Sequence, residues 1–335
     1  MAEPTAAIPE GSLILITGVT GHVASELTKQ FLERGYKVRG TVRDLVKAAW
    51  LVEDVFKTHA DSGNFEIVPV PDISARGAFD DAIKGASAVA HIATIGSFDS
   101  DPNKVVTPTV ASVTSILDSA SKEASVKRFV FTGSIVATTM LVPGNSAHIT
   151  KDSWNDAVLD IAWAPPPYDQ SRAFPVYMAS KVAAEKELLR FVAEEKPHFA
   201  VNVVTPQTIL GRRLNKNCTS LSANILPSLY EGNLDIVQML PACKSDYILG
   251  CRPVVLIMSR QSMELMSRTS LFYISQPYST QMSTTNVFKP GVGTAHITRR
   301  SRFFANCTRS TSSSKILRTW NRIVSLRTLL CRYRC

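Results

Sequence analysis

Apolar and polar positions follow two rhythms along this chain. Leu13-Ile14-Leu15-Ile16-Thr17 is a short apolar run, the pattern of a parallel strand buried on both faces. Gly18-Val19-Thr20-Gly21-His22-Val23-Ala24 follows directly, and apolar residues then recur at helical spacing at Leu27, Phe31 and Leu32, up to Gly35. The pattern predicts strand, glycine turn and helix. Similar apolar runs predict strands over Lys37–Val42, Phe65–Val70, Ala88–Ala93, Val126–Thr132 and Phe199–Val204. Asn103–Glu123 and Ser171–Glu194 carry the helical period, and Leu221–Tyr230 reads as a further helix. Strands alternating with helices imply an α/β fold, a doubly wound parallel sheet of Rossmann type. Residues 8–210 are expected to form it, with a smaller substrate lobe beginning over residues 211–240.

The glycine turn sits where a phosphate-cradling loop belongs, between strand and helix. Gly18 permits the tight turn, Gly21 lets the backbone approach a pyrophosphate, and Ala24 lets helix pack on strand. The helix N-terminus then faces the anion. The second strand ends in Arg43-Asp44. An acidic residue at this strand end favours NAD through the ribose hydroxyls, and a basic one suits the 2′-phosphate of NADP. Arg43, with Lys47 in support, points to NADP over NAD, and Asp44 argues the other way. Asp72-Ile73, past the third strand, are placed to meet the adenine. His91 lies within an apolar strand and reads as structural rather than catalytic.

Tyr177 and Lys181 are four apart and share one helix face. A phenol with an ordinary pKa near ~10 is a poor acid at neutral pH, and an adjacent ammonium favours its ionised form. The pair therefore reads as a proton donor for a carbonyl under reduction. Ser134 follows the fifth strand, where ligands collect past the carboxyl ends of such a sheet, and is positioned to donate a hydrogen bond to that carbonyl. Pro206, past the sixth strand, fixes a loop expected to approach the nicotinamide. Residues 140–170 form an irregular insertion with Trp154, Trp163 and Pro165-Pro166-Pro167. Such loops commonly line clefts, and Trp154 fits either a cleft wall or a packing anchor.

Composition changes this picture in one place. Residues 241–335 carry 12 Arg and 3 Lys against Asp246 and Glu264, a balance of +13 within a total of +9, so residues 1–240 stand at −4. Five of the six cysteines and 24 Ser or Thr also fall in this stretch. Its arginines are scattered without interleaved aromatics, so nucleic acid is not an expected partner. The basic Ser/Thr/Arg-rich tail is instead expected to be poorly ordered, or to arise from a shifted reading frame or altered splicing. With no initial apolar run and no long apolar span, a reducing, cytoplasmic setting is expected, away from membranes. No metal-ligand constellation stands out. A monomer or weak dimer is expected.

Ile16-Thr17-Gly18-Val19-Thr20-Gly21-His22-Val23-Ala24, Val38-Arg39-Gly40-Thr41-Val42-Arg43 and Val89-Ala90-His91-Ile92-Ala93 resemble an extended short-chain dehydrogenase/reductase. So do Phe129-Val130-Phe131-Thr132-Gly133-Ser134 and Tyr177-Met178-Ala179-Ser180-Lys181. The branch is that of fungal NADPH-dependent aldehyde and carbonyl reductases, similar to dihydroflavonol and cinnamoyl-CoA reductases, and the resemblance covers about residues 8–240. It implies that Ser134 and Tyr177 polarise a small carbonyl substrate, with Tyr177 giving the proton. Lys181 would hold the nicotinamide ribose and lower the tyrosine pKa. Thr17, Gly18, Gly21, His22 and Val23 would line or flank the pyrophosphate, Arg43 would take the 2′-phosphate, and Asp72 and Ile73 would bracket adenine. Ala93 and Pro206 would complete the cofactor site. His22 stands where that branch has Phe, Gly133 where it has Ser, and Gln207 where Asn or Ser is common. Two other readings share these residues: a dehydrogenase of steroid-like or dihydroflavonol-like alcohols, and a non-catalytic or unstable homologue.

Overall fold

The computed structural model describes residues 8–139, 149–150, 152–207, 209, 211–218, 224–225, 227–228, 231 and 285–288. Six strands appear where apolar runs predict them: β1 (Leu13–Thr17), β2 (Lys37–Val42), β3 (Phe65–Pro69), β4 (Ala88–His91), β5 (Arg128–Thr132) and β6 (Ala200–Val204). A seventh, β7 (Thr285–Phe288), falls inside the basic tail and pairs parallel with β6. All pairings are parallel, in the order β3-β2-β1-β4-β5-β6-β7. The order reverses between β1 and β4, and the crevice beyond the carboxyl ends there is where ligands of such sheets bind.

The helices are α1 (His22–Leu32), α2 (Leu45–Ala48), α3 (Lys57–Asp61), α4 (Pro102–Lys122), α5 (Ala157–Trp163) and α6 (Ala173–Glu195). Period-two side-chain alternation divides each strand between two layers. Ile14 and Ile16 face Leu27 and Phe31 of α1, together with Ala88, Ala90 and Val130. Leu15, Val89, Phe129 and Phe131 face the opposite layer, where Ile116 and Leu117 of α4 and Ala184 and Leu188 of α6 cover them. Each fully buried large side chain here contributes roughly 1.5–3 kcal/mol, which explains why the central strand β1 shows no polar alternation.

Local chemistry sets the helix ends. The Asp101 carboxylate accepts from the Asn103 N–H at 3.0 Å, and Pro102 occupies the first turn of α4, where a missing donor costs nothing. The Asp169 carboxylate caps a 3₁₀ turn over Gln170–Arg172 that feeds α6, moving its start two residues past the expected Ser171. Lys196 closes α6 in the left-handed region, at φ 45°, and Pro197 prevents continuation. Among the described residues no helix is long and apolar enough to cross a membrane, and no cluster of potential metal ligands occurs. Most of the expected helix over Leu221–Tyr230, and residues 241–284 and 289–335, lie outside the described residues.

Candidate active site

The loop after β1 is built by two strand-end threonines. Gly18, at φ 70°, donates its N–H to the carbonyl and hydroxyl oxygens of Thr41 at 3.1 and 3.2 Å. Gly21 turns its N–H back onto the Gly18 carbonyl at 2.9 Å, and α1 begins one residue later with no side-chain cap. The first-turn N–H groups of α1 therefore remain for a ligand. Thr17 ties β1 to β4: its hydroxyl oxygen accepts from Ile92 and Ala93 N–H, both at 2.9 Å, and contacts His91 Nδ1 at 3.0 Å. With both acceptor positions used, the Thr17 proton goes to Nδ1, so His91 carries its own proton on Nε2. The ring lies between Phe79, Phe129 and Phe131. Burial, reinforced by the Lys181 charge, lowers its pKa to about 3. His91 is thus a neutral strut in the loop's foundation, as its apolar strand suggests.

His22 stands buried at the start of α1, with neither ring nitrogen hydrogen-bonded among the described residues. Burial and then the Arg213 charge lower its pKa. Val23 packs on the core of that layer. At the end of β2 the two competing signals separate. The Asp44 carboxylate accepts from Val46 and Lys47 N–H at 2.9 and 3.2 Å, capping α2. Arg43 is exposed beside it, without an ion pair among the described residues. Lys47 Nζ stands 3.9 Å from Asp44, its side chain 85% exposed. Asp72, past β3, accepts from the Ser74 hydroxyl and N–H, which lower its pKa, and Ile73 packs against the core.

On the other side of the switch, β5 and β6 hold their following turns together. Gly133 N–H donates to Val204 O and Ile135 N–H to Pro206 O, both at 2.9 Å. Ser134 lies between them in extended conformation, and its hydroxyl is hydrogen-bonded to the Tyr177 phenol. The Tyr177 ring is flanked by Phe98 at 5.2 Å and Phe174 at 5.9 Å between centroids. Lys181 Nζ lies 5.9 Å from that ring and donates to Thr94 Oγ1 at 3.1 Å. Ser134, Tyr177 and Lys181 therefore meet in the crevice, with Thr17, Gly18 and Ala93 at its floor.

The electrostatics differ from expectation in one respect. Burial raises the Tyr177 phenol, and the opposing influence is the Ser134 hydrogen bond rather than Lys181. Burial also lowers Lys181, to about 8, against the pull of Glu185. The phenol is accordingly held protonated at neutral pH.

Several contributors escape a sequence reading. Phe98 and Thr94 come from the irregular stretch after β4, which has no periodicity to betray it. Arg172 is buried and donates from its two terminal nitrogens to five carbonyls, those of Ile161, Ala162, Ala164, Pro165 and Pro167. Its guanidinium also lies 4.8 Å from the Tyr168 ring. Trp154 resolves as a packing anchor against the buried cluster of Val105, Val158, Val176 and Val182 between α4, α5 and α6, with Lys186 Nζ 5.4 Å from its ring.

The residues fit a phosphorylated dinucleotide on this structure's own terms. Uncapped N–H groups open α1, a positive-φ glycine lies flat against Ala93 at an ideal Cβ distance of 3.2 Å, and Arg43, exposed just past β2, has no ion pair among the described residues. Residues 14–239 match the family model described as NAD dependent epimerase/dehydratase family. An NAD-dependent epimerase/dehydratase of Aspergillus terreus is 41% identical over 231 residues, covering 69% of this chain and 68% of that one. Aldehyde reductase 2 of Sporidiobolus salmonicolor is 39% identical over 231 residues, covering 68% and 67%. Among solved structures, yeast methylglyoxal/isovaleraldehyde reductase Gre2 complexed with NADPH aligns with TM-score 0.55 and 28% identity over 65% of this chain and 66% of that one. The match thus spans about two thirds of each relative's length. Fold, loop and polar crevice define a nicotinamide-dependent oxidoreductase. The chain belongs to the NAD dependent epimerase/dehydratase family.

Proposed function

We propose that the chain reduces an aldehyde or ketone to the alcohol with NADPH, and that Tyr177 supplies the proton. The observation that carries this reading is the Ser134–Tyr177 hydrogen bond in the crevice past β5, two hydroxyls converging where a carbonyl oxygen can accept from both. The bound nicotinamide supplies the hydride for the carbonyl carbon. Ser134 orients the carbonyl, and the Tyr177 hydroxyl transfers its proton to the oxygen as negative charge develops there. Lys181, as an ammonium, offsets the charge left on the phenolate. Phe98 and Phe174 exclude water from one flank of Tyr177 and favour apolar substrates. The relatives described as aldehyde and methylglyoxal reductases support the same chemistry.

The experiment is an NADPH-oxidation assay of the full chain with small apolar aldehydes and β-keto esters, beside a fluorescence titration with NADPH and NADH. Substrate-dependent oxidation is expected, and its absence under saturating NADPH binding would overturn the proposal. Arg43 is the proposed 2′-phosphate ligand. A charge-assisted contact of this kind is worth roughly 1.5–3 kcal/mol, so Arg43→Ala should weaken NADPH by about 10-fold or more and NADH hardly at all. Equal weakening of both would remove Arg43 from that role.

A further inference from the structure

Lys181 reaches the crevice as a nearly enclosed residue, 5% exposed, and its ammonium carries three N–H donors. Among the described residues one of the three is used: Nζ donates to Thr94 Oγ1 at 3.1 Å. The main chain leading to Thr94 is itself pinned. The Thr17 hydroxyl oxygen accepts from the N–H groups of Ile92 and Ala93, both at 2.9 Å, and Ala93 packs directly against Gly18. A hydrogen-bonded line therefore runs from the end of β1, through the residues past β4, to a side chain of α6. The residues that floor the phosphate loop thus also set where the Thr94 hydroxyl stands. A hydroxyl oxygen suits this place because it accepts without carrying charge. An aspartate here would offset the lysine's charge, whereas threonine holds the ammonium and leaves that charge to act on Tyr177, whose ring centre is 5.9 Å from Nζ.

We propose that Thr94 is a positioning residue of this site, whose hydroxyl oxygen anchors the Lys181 ammonium beside Tyr177 and leaves its two remaining N–H groups for the cofactor. The inference rests on the catalytic reading of Tyr177 and Lys181. A lysine stem is long and rotatable, and its ammonium is a compact charge with no direction of its own. Burial confines such a group without choosing which way it points. The Thr94 bond makes that choice. One anchored N–H also leaves a defined pair of donors on a single nitrogen, an arrangement that fits the two neighbouring hydroxyl oxygens of a ribose.

The test follows the Lys181 side chain by heteronuclear NMR of the full-length, isotopically labelled protein, its signal assigned by loss in Lys181→Arg. A hydrogen bond accepted from the charged form raises an amine's proton affinity. Thr94→Val removes the hydroxyl and keeps the shape, so it should move the Lys181 titration down by about 0.5 to 1 pH unit, a loss of proton affinity of about three- to tenfold. Thr94→Ser keeps the hydroxyl and should stay within about 0.2 units of the parent. Burial places the titration at about 8, within an accessible range. The titratable groups around Lys181 are Tyr177 and the buried Glu185 on α6 and His91 on β4. All three are common to these variants, so a difference between them reports the side chain at 94. Thr94 is exposed, so its variants are expected to fold, and Thr94→Ala gives a second removal of the hydroxyl. A titration that stays within about 0.2 units of the parent in Thr94→Val and Thr94→Ala would overturn the proposal. So would a Thr94→Ser that falls as far as Thr94→Val, since the hydroxyl would then not be the cause. Because the readout needs neither cofactor nor substrate, a chain that shifts as expected yet reduces no carbonyl would sink the proposed function and leave Thr94 as the anchor of Lys181.

Discussion

Tyr177→Phe is expected to lower turnover by about 10²- to 10⁴-fold, the usual contribution of a positioned general acid, while NADPH affinity changes by less than about 2-fold. The substitution is narrow. Phenylalanine retains the ring that packs against Phe98 at 5.2 Å and Phe174 at 5.9 Å, and removes only the hydroxyl and its hydrogen bond to Ser134. Lys181 keeps its bond to Thr94. Steady-state NADPH oxidation measures the first quantity and fluorescence titration the second. If turnover survives, the proton comes from elsewhere and Tyr177 is a wall of the cleft.

The second large effect concerns stability rather than turnover. His91 has a folded pKa of about 3 against an ordinary 6.5, so between those values the unfolded chain binds a proton that the folded chain refuses. The sign follows: this group's contribution to stability is fully present above pH 6.5 and is lost progressively as pH falls toward 3. Each pH unit in that window removes about 1.4 kcal/mol, for a total of up to about 5 kcal/mol. Carboxylates such as Asp72 and Asp80, whose pKa values are lowered by hydrogen bonds to Ser74 and Ser119, add their own losses at the acid end. His22, whose pKa burial and then Arg213 lower, adds another loss in the same direction. The comparison is therefore with His91→Gln, by urea unfolding between pH 7 and 4.5. Wild type should lose roughly 3 kcal/mol more than the variant over that range. Equal slopes would mean that His91 does not exclude its proton.

β1 was legible because a parallel strand covered on both faces needs an unbroken apolar run, and both β1 and β2 match their expected residues one for one. The strand ends were harder. Apolar residues continue past His91 and ahead of Arg128, and only the hydrogen-bond ladder decides where pairing stops. Arg43-Asp44 could not be separated in sequence, since capping and ribose binding both ask for an aspartate after a strand. The phenol's pKa was expected to fall beside Lys181, but burial dominates in the folded site. Arg172 and Glu185 were invisible for a related reason: a buried charge and a solvated one look alike in sequence. The basic tail hid β7 because four residues carry too little pattern to stand out.

Arg172 has a consequence for how the segment before α6 can change. It grips residues 161–167 through main-chain oxygens alone, leaving Ile161 and Trp163 44% and 47% exposed. A loop held by its backbone does not depend on what its side chains are. New side chains can therefore be installed at 161 and 163 without loosening the turn that feeds α6, so the segment can change its surface chemistry while its frame stays put.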